Sequence, residues 1–455
     1  MRLPAIPPSF RRLFQEAAVD PARLATVLTL AAPGATKDYL HWDDMRHRRP
    51  PADLTVHEWW LGVRWARVGQ FRDLPLLATD GSVFHYGLTD RALQHLHEID
   101  QRASGEIVLS EVVTDPGTRR RYMIDSLMEE AIASSQIEGA STTRKVAKDM
   151  LRSGRHPRDI SEQMIVNNYR AVMRIGELRA VPLTPEVVLE LHRILTDGTL
   201  ENPTAAGRLQ APGDERVKVV DPADDTVLHV PPPAAELPDR LAALCSFANV
   251  EVTEPFIHPV IRAIVVHLWL AYDHPFEDGN GRTARALFYW VMANQRYWLT
   301  EYLSISRLLN RARSQYRRAF LLTETDDFDA TYFILYQLEV IVRAIDDLHS
   351  HLRVKMRQLR ETEELLRGSD LNHRQLAVLG YALRHPDADF TYASHARSHR
   401  VVRQSARRDL LELEANGYLA SRRVGRTIHF RPVPSLAERV VAPGRQGAEP
   451  GDARS

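Results

Sequence analysis

The stretch His274-Pro-Phe-Glu-Asp-Gly-Asn-Gly-Arg-Thr-Ala-Arg285 joins two segments with helical patterning. The run from Pro259 to Tyr272 before it is long and apolar, with proline where a first helical turn accepts it. Gly279-Asn280-Gly281 allows a tight turn, and a helix restarting at about Arg282 would aim its free N–H groups and positive dipole end into that turn. Such a junction is an anion-binding nest. Arg282 and Arg285 are three apart, so they share a helix face and both can reach phosphate oxygens. Asp278 beside the nest suits a magnesium ion bridging phosphates. His274 is then free to take a proton from an incoming hydroxyl. Phe276, apolar among polar neighbours, would anchor the loop in the core. A bare Gly-Asn-Gly is more often a turn between helices with surface arginines, so the weight rests on the whole string. A calcium-loop reading fails, because Asp278 stands where that loop needs glycine and no glutamate closes it.

The whole string resembles the Fic family signature, His-x-Phe-x-Asp/Glu-Gly-Asn-Gly-Arg-x-x-Arg, at each fixed position, and the likeness extends across roughly residues 120–350 and more loosely upstream to the tryptophan-rich segment. The resemblance implies a mainly α fold, a Fic-type helical bundle with a β-hairpin flap. It implies a nucleotidyltransferase that moves AMP from ATP to a Ser, Thr or Tyr hydroxyl of a protein, with Mg²⁺ or Mn²⁺. It makes His274 the general base and Asp278 the metal ligand. Gly279, Asn280 and Gly281 become the phosphate cradle, Arg282 a phosphate and transition-state contact, and Arg285 the γ-phosphate contact.

Ser134-Ser-Gln-Ile-Glu138-Gly139 reads by itself as a capped helix end. Beside such a core it resembles the family's inhibitory helix, Ser/Thr-x-x-x-Glu-Gly. The resemblance implies that Ser134, Glu138 and Gly139 form a brake in which Glu138 pairs with Arg285 and displaces the γ-phosphate. Two β-rich runs, 216–220 and 226–230, flank Asp221-Pro-Ala-Asp-Asp225 and read as a hairpin stopped by Pro231-Pro-Pro233. They lie where the family carries its target-docking flap, so a target protein, or the chain itself, would dock there as an added strand. A surface hairpin with no binding role is the alternative.

The chain has 455 residues, 44% hydrophobic and 26% charged, with 59 basic against 59 acidic side chains. Such a length implies about two to four domains, and the charge balance names no partner. The lone Cys245 excludes an intrachain disulfide or a cysteine-based zinc site and reads as a buried thiol. The start MRLPAIPPSFRRLFQEA lacks the apolar run of a secretory signal, and Ile261–Tyr272 is too short to span a bilayer. The expectation is a cytoplasmic protein with no membrane partner, a homodimer being left open. Thr55-Val-His-Glu is a capping box before Trp59, Trp60 and Trp65, whose expected use is core packing. Helices are expected from Arg119 to Gly139, then over 144–152, 160–178, 185–195, 237–248, 259–272 and 332–360. No internal repeat is visible. The expected parts are an N-terminal region, 1–118; a catalytic domain with the inhibitory helix, 119–365; a C-terminal unit, 371–432, after a linker at 368–370; and a disordered tail, 433–455.

The C-terminal unit carries eleven arginines against five acidic residues. Val402, Ala406, Leu410 and Leu413 form one helical stripe, with Arg400, Arg403, Gln404 and Arg407 off it. Ser421–Phe430 reads as a hairpin tipped by Gly425, and the whole as a winged helix-turn-helix with a basic wing that can take duplex DNA. A protein-docking winged helix is the alternative. Two other functions compete with AMP transfer: a DNA-binding regulator whose core only senses nucleotide, and the same core removing AMP or transferring UMP or phosphate.

Overall fold

A computed structural model describes residues 2–31, 38–103, 116–221, 224–250, 255–297, 302–366, 371–384, 387–399, 401–425, 427–434 and 436–441. Local signals set most helix boundaries. Four helices come first: α1, Phe10–Ala17; α2, Pro21–Ala31; α3, Trp42–Met45; and α4, Val56–Val68. The expected capping box starts α4, with Thr55 accepting from the Glu58 N–H and Glu58 accepting from the Thr55 N–H. Strands β1 (Phe71–Leu77) and β2 (Val83–Gly87) pair antiparallel and lead to α5 (Asp90–Ala103). Next come α6 (Pro116–Ile137), α7 (Arg144–Ser153), α8 (Ile160–Leu178) and α9 (Pro185–Thr196). Helix α6 starts at Pro116, ahead of the expected Arg119, because proline fits a first turn whose N–H groups have no partner. Asp159 and Thr184 cap α8 and α9 by accepting from Glu162 and Val187 N–H groups.

The expected hairpin forms but is short: β3 is Val219–Val220 and β4 is Val227–His229, with Val219 opposite His229. Then follow α10 (Leu237–Ala248), α11 (Pro259–Asp273), α12 (Asn280–Asn294), α13 (Ile305–Arg311), α14 (Arg313–Thr325) and α15 (Thr331–Leu366). Residues from Val260 to Leu270 are all buried, polar ones included, so α11 is the central helix of the core. It packs with α12, α10 and the start of α15. Leu74, Leu76, Phe84, Leu96 and Ile99 from β1, β2 and α5 join the same core.

The chain folds as two compact units, residues 1–348 and 349–455. Within the first unit, β1, β2 and α5 complete the α11 core. Helices α1–α4 keep a smaller cluster around Met45, Trp60 and Leu61. It is tied to the start of α15 by Tyr39 donating to Asp329 at 2.7 Å and Arg67 donating to Tyr332 at 2.9 Å. Of the three tryptophans, Trp60 is buried, whereas Trp65 is 47% exposed and stacks on Phe14 outside the core.

The second unit has α16 (His373–Arg384), α17 (Tyr392–His399), α18 (Arg403–Ala415), β5 (Leu419–Val424), β6 (Thr427–Pro432) and α19 (Leu436–Val441). Ala406, Leu410 and Leu413 of α18 are buried as expected. Val402 is 70% exposed, because it is the residue just before α18 and not part of its stripe. Buried Asp409 holds Arg374 at 2.7 Å and His395 at 3.1 Å, joining the three helices. Arg400, the linker at 368–370 and the tail from 442 lie outside the described residues. Among the described residues no helix is long and apolar enough to cross a membrane.

Candidate active site

The apolar length of α11 ends at His274, which takes a left-handed conformation, φ 45° and ψ 54°. That turn throws the chain back towards α9. Phe276 is fully buried and stacks on the His192 ring, centroids 3.7 Å apart. Asn280 closes the loop: its Oδ1 accepts from the Phe276 N–H at 2.9 Å and its Nδ2 donates to the Phe276 carbonyl at 2.8 Å. The same amide nitrogen lies 3.2 Å from His274 Nδ1; since an amide nitrogen only donates, Nδ1 accepts in this long contact and the neutral ring carries its hydrogen on Nε2. Gly279 has φ 85°, and a Cβ there would lie 2.7 Å from Thr196 Cγ2, so glycine is required twice over. Helix α12 starts at Asn280, two residues before the expected Arg282. The Asn280 and Gly281 N–H groups thus belong to the first turn, whose donors have no helical partner.

The two arginines of the turn diverge. Arg285, 3% exposed, gives its fork to α6: Nε to Ser134 Oγ at 2.9 Å, and one terminal nitrogen to the Ser134 carbonyl at 3.0 Å and Glu138 Oε1 at 2.8 Å. Burial pushes the Glu138 carboxyl up, but the Arg285 charge and hydrogen bond outweigh it, so the group sits below its ordinary range. Gly281 makes room for this contact, since a Cβ there would fall 2.3 Å from Glu138 Oε1. Gly139 follows with φ 100°, ending the helix where a side chain would be strained. Arg282, 1% exposed, turns the other way and donates to the Leu195 carbonyl and to Asp278 Oδ2, each at 2.9 Å. The structure thus brings His274, Glu138 and Arg285 to one cavity of about 260 Å³. Arg282 instead braces the loop from behind, and Asp278 stays 60% exposed at its edge.

Sequence patterning missed three residues that build this site. His192 on α9 accepts from the Gly207 N–H through Nδ1 at 2.9 Å, so its ring hydrogen is on Nε2, which meets the Asp278 carbonyl at 2.8 Å. Burial lowers this ring to about 4, so it is neutral and can make both bonds. A histidine between buried Val188, Leu191 and Leu195 of a capped helix was the available signal. Arg216 and His229 from the hairpin hold the end of α11, and no local pattern marks them. His274 itself is lowered to about 4, first by burial, then by the charges of His229 and Arg216, with Glu138 opposing. It is therefore a neutral ring at neutral pH.

Residues 182–292 match the Fic/DOC family. A protein adenylyltransferase Fic of Nematostella vectensis is 34% identical over 105 residues, 23% of this chain and 22% of that protein. Another, of Drosophila yakuba, is 25% identical over 215 residues, 46% of this chain and 40% of that protein. The chain thus matches less than half the length of these relatives. A crystal structure of a Fic family protein from Desulfovibrio desulfuricans G20 shares the fold, with a TM-score of 0.51 at 19% identity, covering 77% of this chain and 98% of that one. The chain accordingly carries a Fic/DOC family segment at 182–292, spanning α9 to α12, with similarity to protein adenylyltransferases named Fic.

Proposed function

We propose that this protein transfers AMP from ATP to a protein hydroxyl, and that Glu138 restrains it. The observation that carries the reading is the meeting of three features in one cavity: the donor-rich start of α12, the neutral His274 ring and the Arg285 fork. The triphosphate lies on the Asn280 and Gly281 N–H groups with Arg285 on its far phosphate. The hydroxyl oxygen forms a bond to the α-phosphorus as the bond to the bridging oxygen breaks. His274 takes the hydroxyl proton, and pyrophosphate leaves with the electron pair. Catalysis is mostly placement and electrostatics. The cavity is also lined by Val219 and Val220 of the hairpin, where an extended segment of a target can add as a strand.

Asp278 suits a magnesium or manganese ion. It offers an exposed hard-oxygen donor beside the nest, and among the described residues no cluster of three acidic, His or Cys side chains forms a cage of its own. An ion there would share one carboxylate with phosphates and water, the usual habit of Mg²⁺, and would neutralise phosphate charge when bound. Incubation with labelled ATP and mass spectrometry of the protein tests the reading. Transfer should stop in excess chelator, and Asp278→Ala should raise the Mg²⁺ needed for half-maximal transfer about tenfold or more. Full transfer in chelator removes Asp278 as a metal ligand.

A second reading concerns the C-terminal unit. Arg403, Gln404 and Arg407 stand exposed on α18, and Arg422 and Arg423 stand exposed on β5. One helix face and one hairpin thus offer cations of the kind that meets a groove and its phosphates. The full chain should bind duplex DNA with affinity falling steeply with salt. The double change Arg403→Ala, Arg407→Ala should flatten that log–log slope by about 2. No binding at low salt leaves a protein partner as the reading.

A further inference from the structure

A helix end leaves its last carbonyls without partners. At the end of α11 those of Tyr272, Asp273 and His274 are all taken by side chains of the hairpin region. Arg216, just before β3, donates to the Asp273 carbonyl at 2.8 Å and the His274 carbonyl at 3.2 Å. It also holds the Pro232 carbonyl at 2.8 Å and Gln210, so it ties both feet of the hairpin together. His229, the last residue of β4, meets the Tyr272 carbonyl through Nε2 at 2.6 Å and Glu324 Oε2 of α14 through Nδ1 at 2.7 Å. A carbonyl and a carboxylate only accept. Two such bonds need a hydrogen on each ring nitrogen, so the ring is an imidazolium paired with Glu324.

We infer that His229 is a protonated latch that, with Arg216, fixes the hairpin against the end of α11 and so sets where a docked target strand lies relative to His274. It is a positioning residue, and its catalytic meaning rests on the AMP-transfer reading. The ring is 8% exposed and lines the cavity together with Glu324 and His274. Glu324 faces it from α14. From α11, the Tyr272 ring lies beside it, centroids 4.7 Å apart and tilted by 54°, and Asp273 adds negative charge. Arg240 of α10 already holds Asp273 at 3.1 Å. Burial lowers the His229 ring, but Glu324, the Tyr272 carbonyl and Asp273 outweigh it, so its pKa is above the ordinary value. The latch is therefore closed at low pH and opens as pH rises through that raised value.

Three measurements on the full chain test this. Nitrogen-15 NMR of labelled histidine, with the His229 signals assigned by their loss in His229→Gln, should show both ring nitrogens protonated at pH 7.5. Glu324→Gln should convert the ring to the neutral form at that pH. A neutral ring in the unaltered protein overturns the latch. Amide hydrogen exchange at 219–230 should quicken about tenfold or more in both variants, with α8 and α12 unchanged. Unchanged exchange in the hairpin also overturns it. In the Glu138→Gly background, adding Glu324→Gln should cut the transfer kcat about tenfold with the KM for ATP within about twofold, and move the alkaline limb of the pH profile down. An unaltered kcat and pH limb would show that the latch does not position the target. Absence of any transfer in Glu138→Gly counts against the AMP-transfer reading alone, because the NMR and exchange results do not depend on activity.

Discussion

Glu138→Gly should raise AMP transfer about a hundredfold. The Arg285 fork donates to Ser134 Oγ, the Ser134 carbonyl and Glu138, and Glu138 is the charged one of these three acceptors. A carboxylate and a γ-phosphate compete for the same donors, and both cannot occupy them fully. The carboxylate also fills space directly over Gly281, in the first turn where phosphate oxygens would settle. A triphosphate entering beside it has its far end displaced, and a misplacement of about 1 Å at the α-phosphorus costs roughly a hundredfold. Glycine removes both obstacles. Position 138 lies just past the end of α6, so the change costs little helix stability. Adding Arg285→Ala should abolish most of the gain, since the freed partner is gone. A gain that persists without Arg285 would mean that Glu138 acts through another contact. No gain at all would reduce Ser134–Gly139 to a helix end.

His274→Ala in that released background should lower transfer about a hundredfold to ten-thousandfold, the range for loss of a placed general base. The backbone of residue 274 is left-handed, which histidine adopts somewhat more readily than alanine, so circular dichroism should be unchanged and thermal unfolding should shift only modestly. The pH dependence carries a sign. The ring is depressed to about 4, so its proton-accepting form persists at higher pH, and transfer should fall as pH drops towards that value. An unperturbed histidine would lose activity already near pH 6.5. Near-full transfer by a well-folded His274→Ala protein would assign the base elsewhere.

The parts of this site that were legible in the sequence are those set by local chemistry. The Thr55 box and the Pro259 start report on the few residues around them, and a single chain is enough to read those. Gly279 and Gly281 were legible as a turn, though the reason for each is remote: Thr196 lies behind one and Glu138 in front of the other. Sequence places the start of α12 two residues late because Asn280 has turn chemistry. In the fold its side chain bonds back to Phe276 while its backbone is already helical. The spacing of Arg282 with Arg285 predicts a phosphate contact for both. Helical spacing gives the face of a residue but not the partner waiting there, which is the Leu195 carbonyl. His192, Arg216, His229 and Glu324 join elements far apart in the chain, and no periodicity links them. Val402 fails as a stripe residue because the helix begins one position later.

Label transfer tests the central claim most directly. The full chain as Glu138→Gly, incubated with Mg²⁺ and ATP labelled at the α-phosphate, is followed for covalent label on protein, beside the same chain carrying His274→Ala. The account predicts strong labelling of the first, by mass an added AMP on a Ser, Thr or Tyr of the chain or of an added target, and almost none of the second. Equal labelling of both folded proteins, or label from the γ-phosphate in place of the α-phosphate, would contradict it.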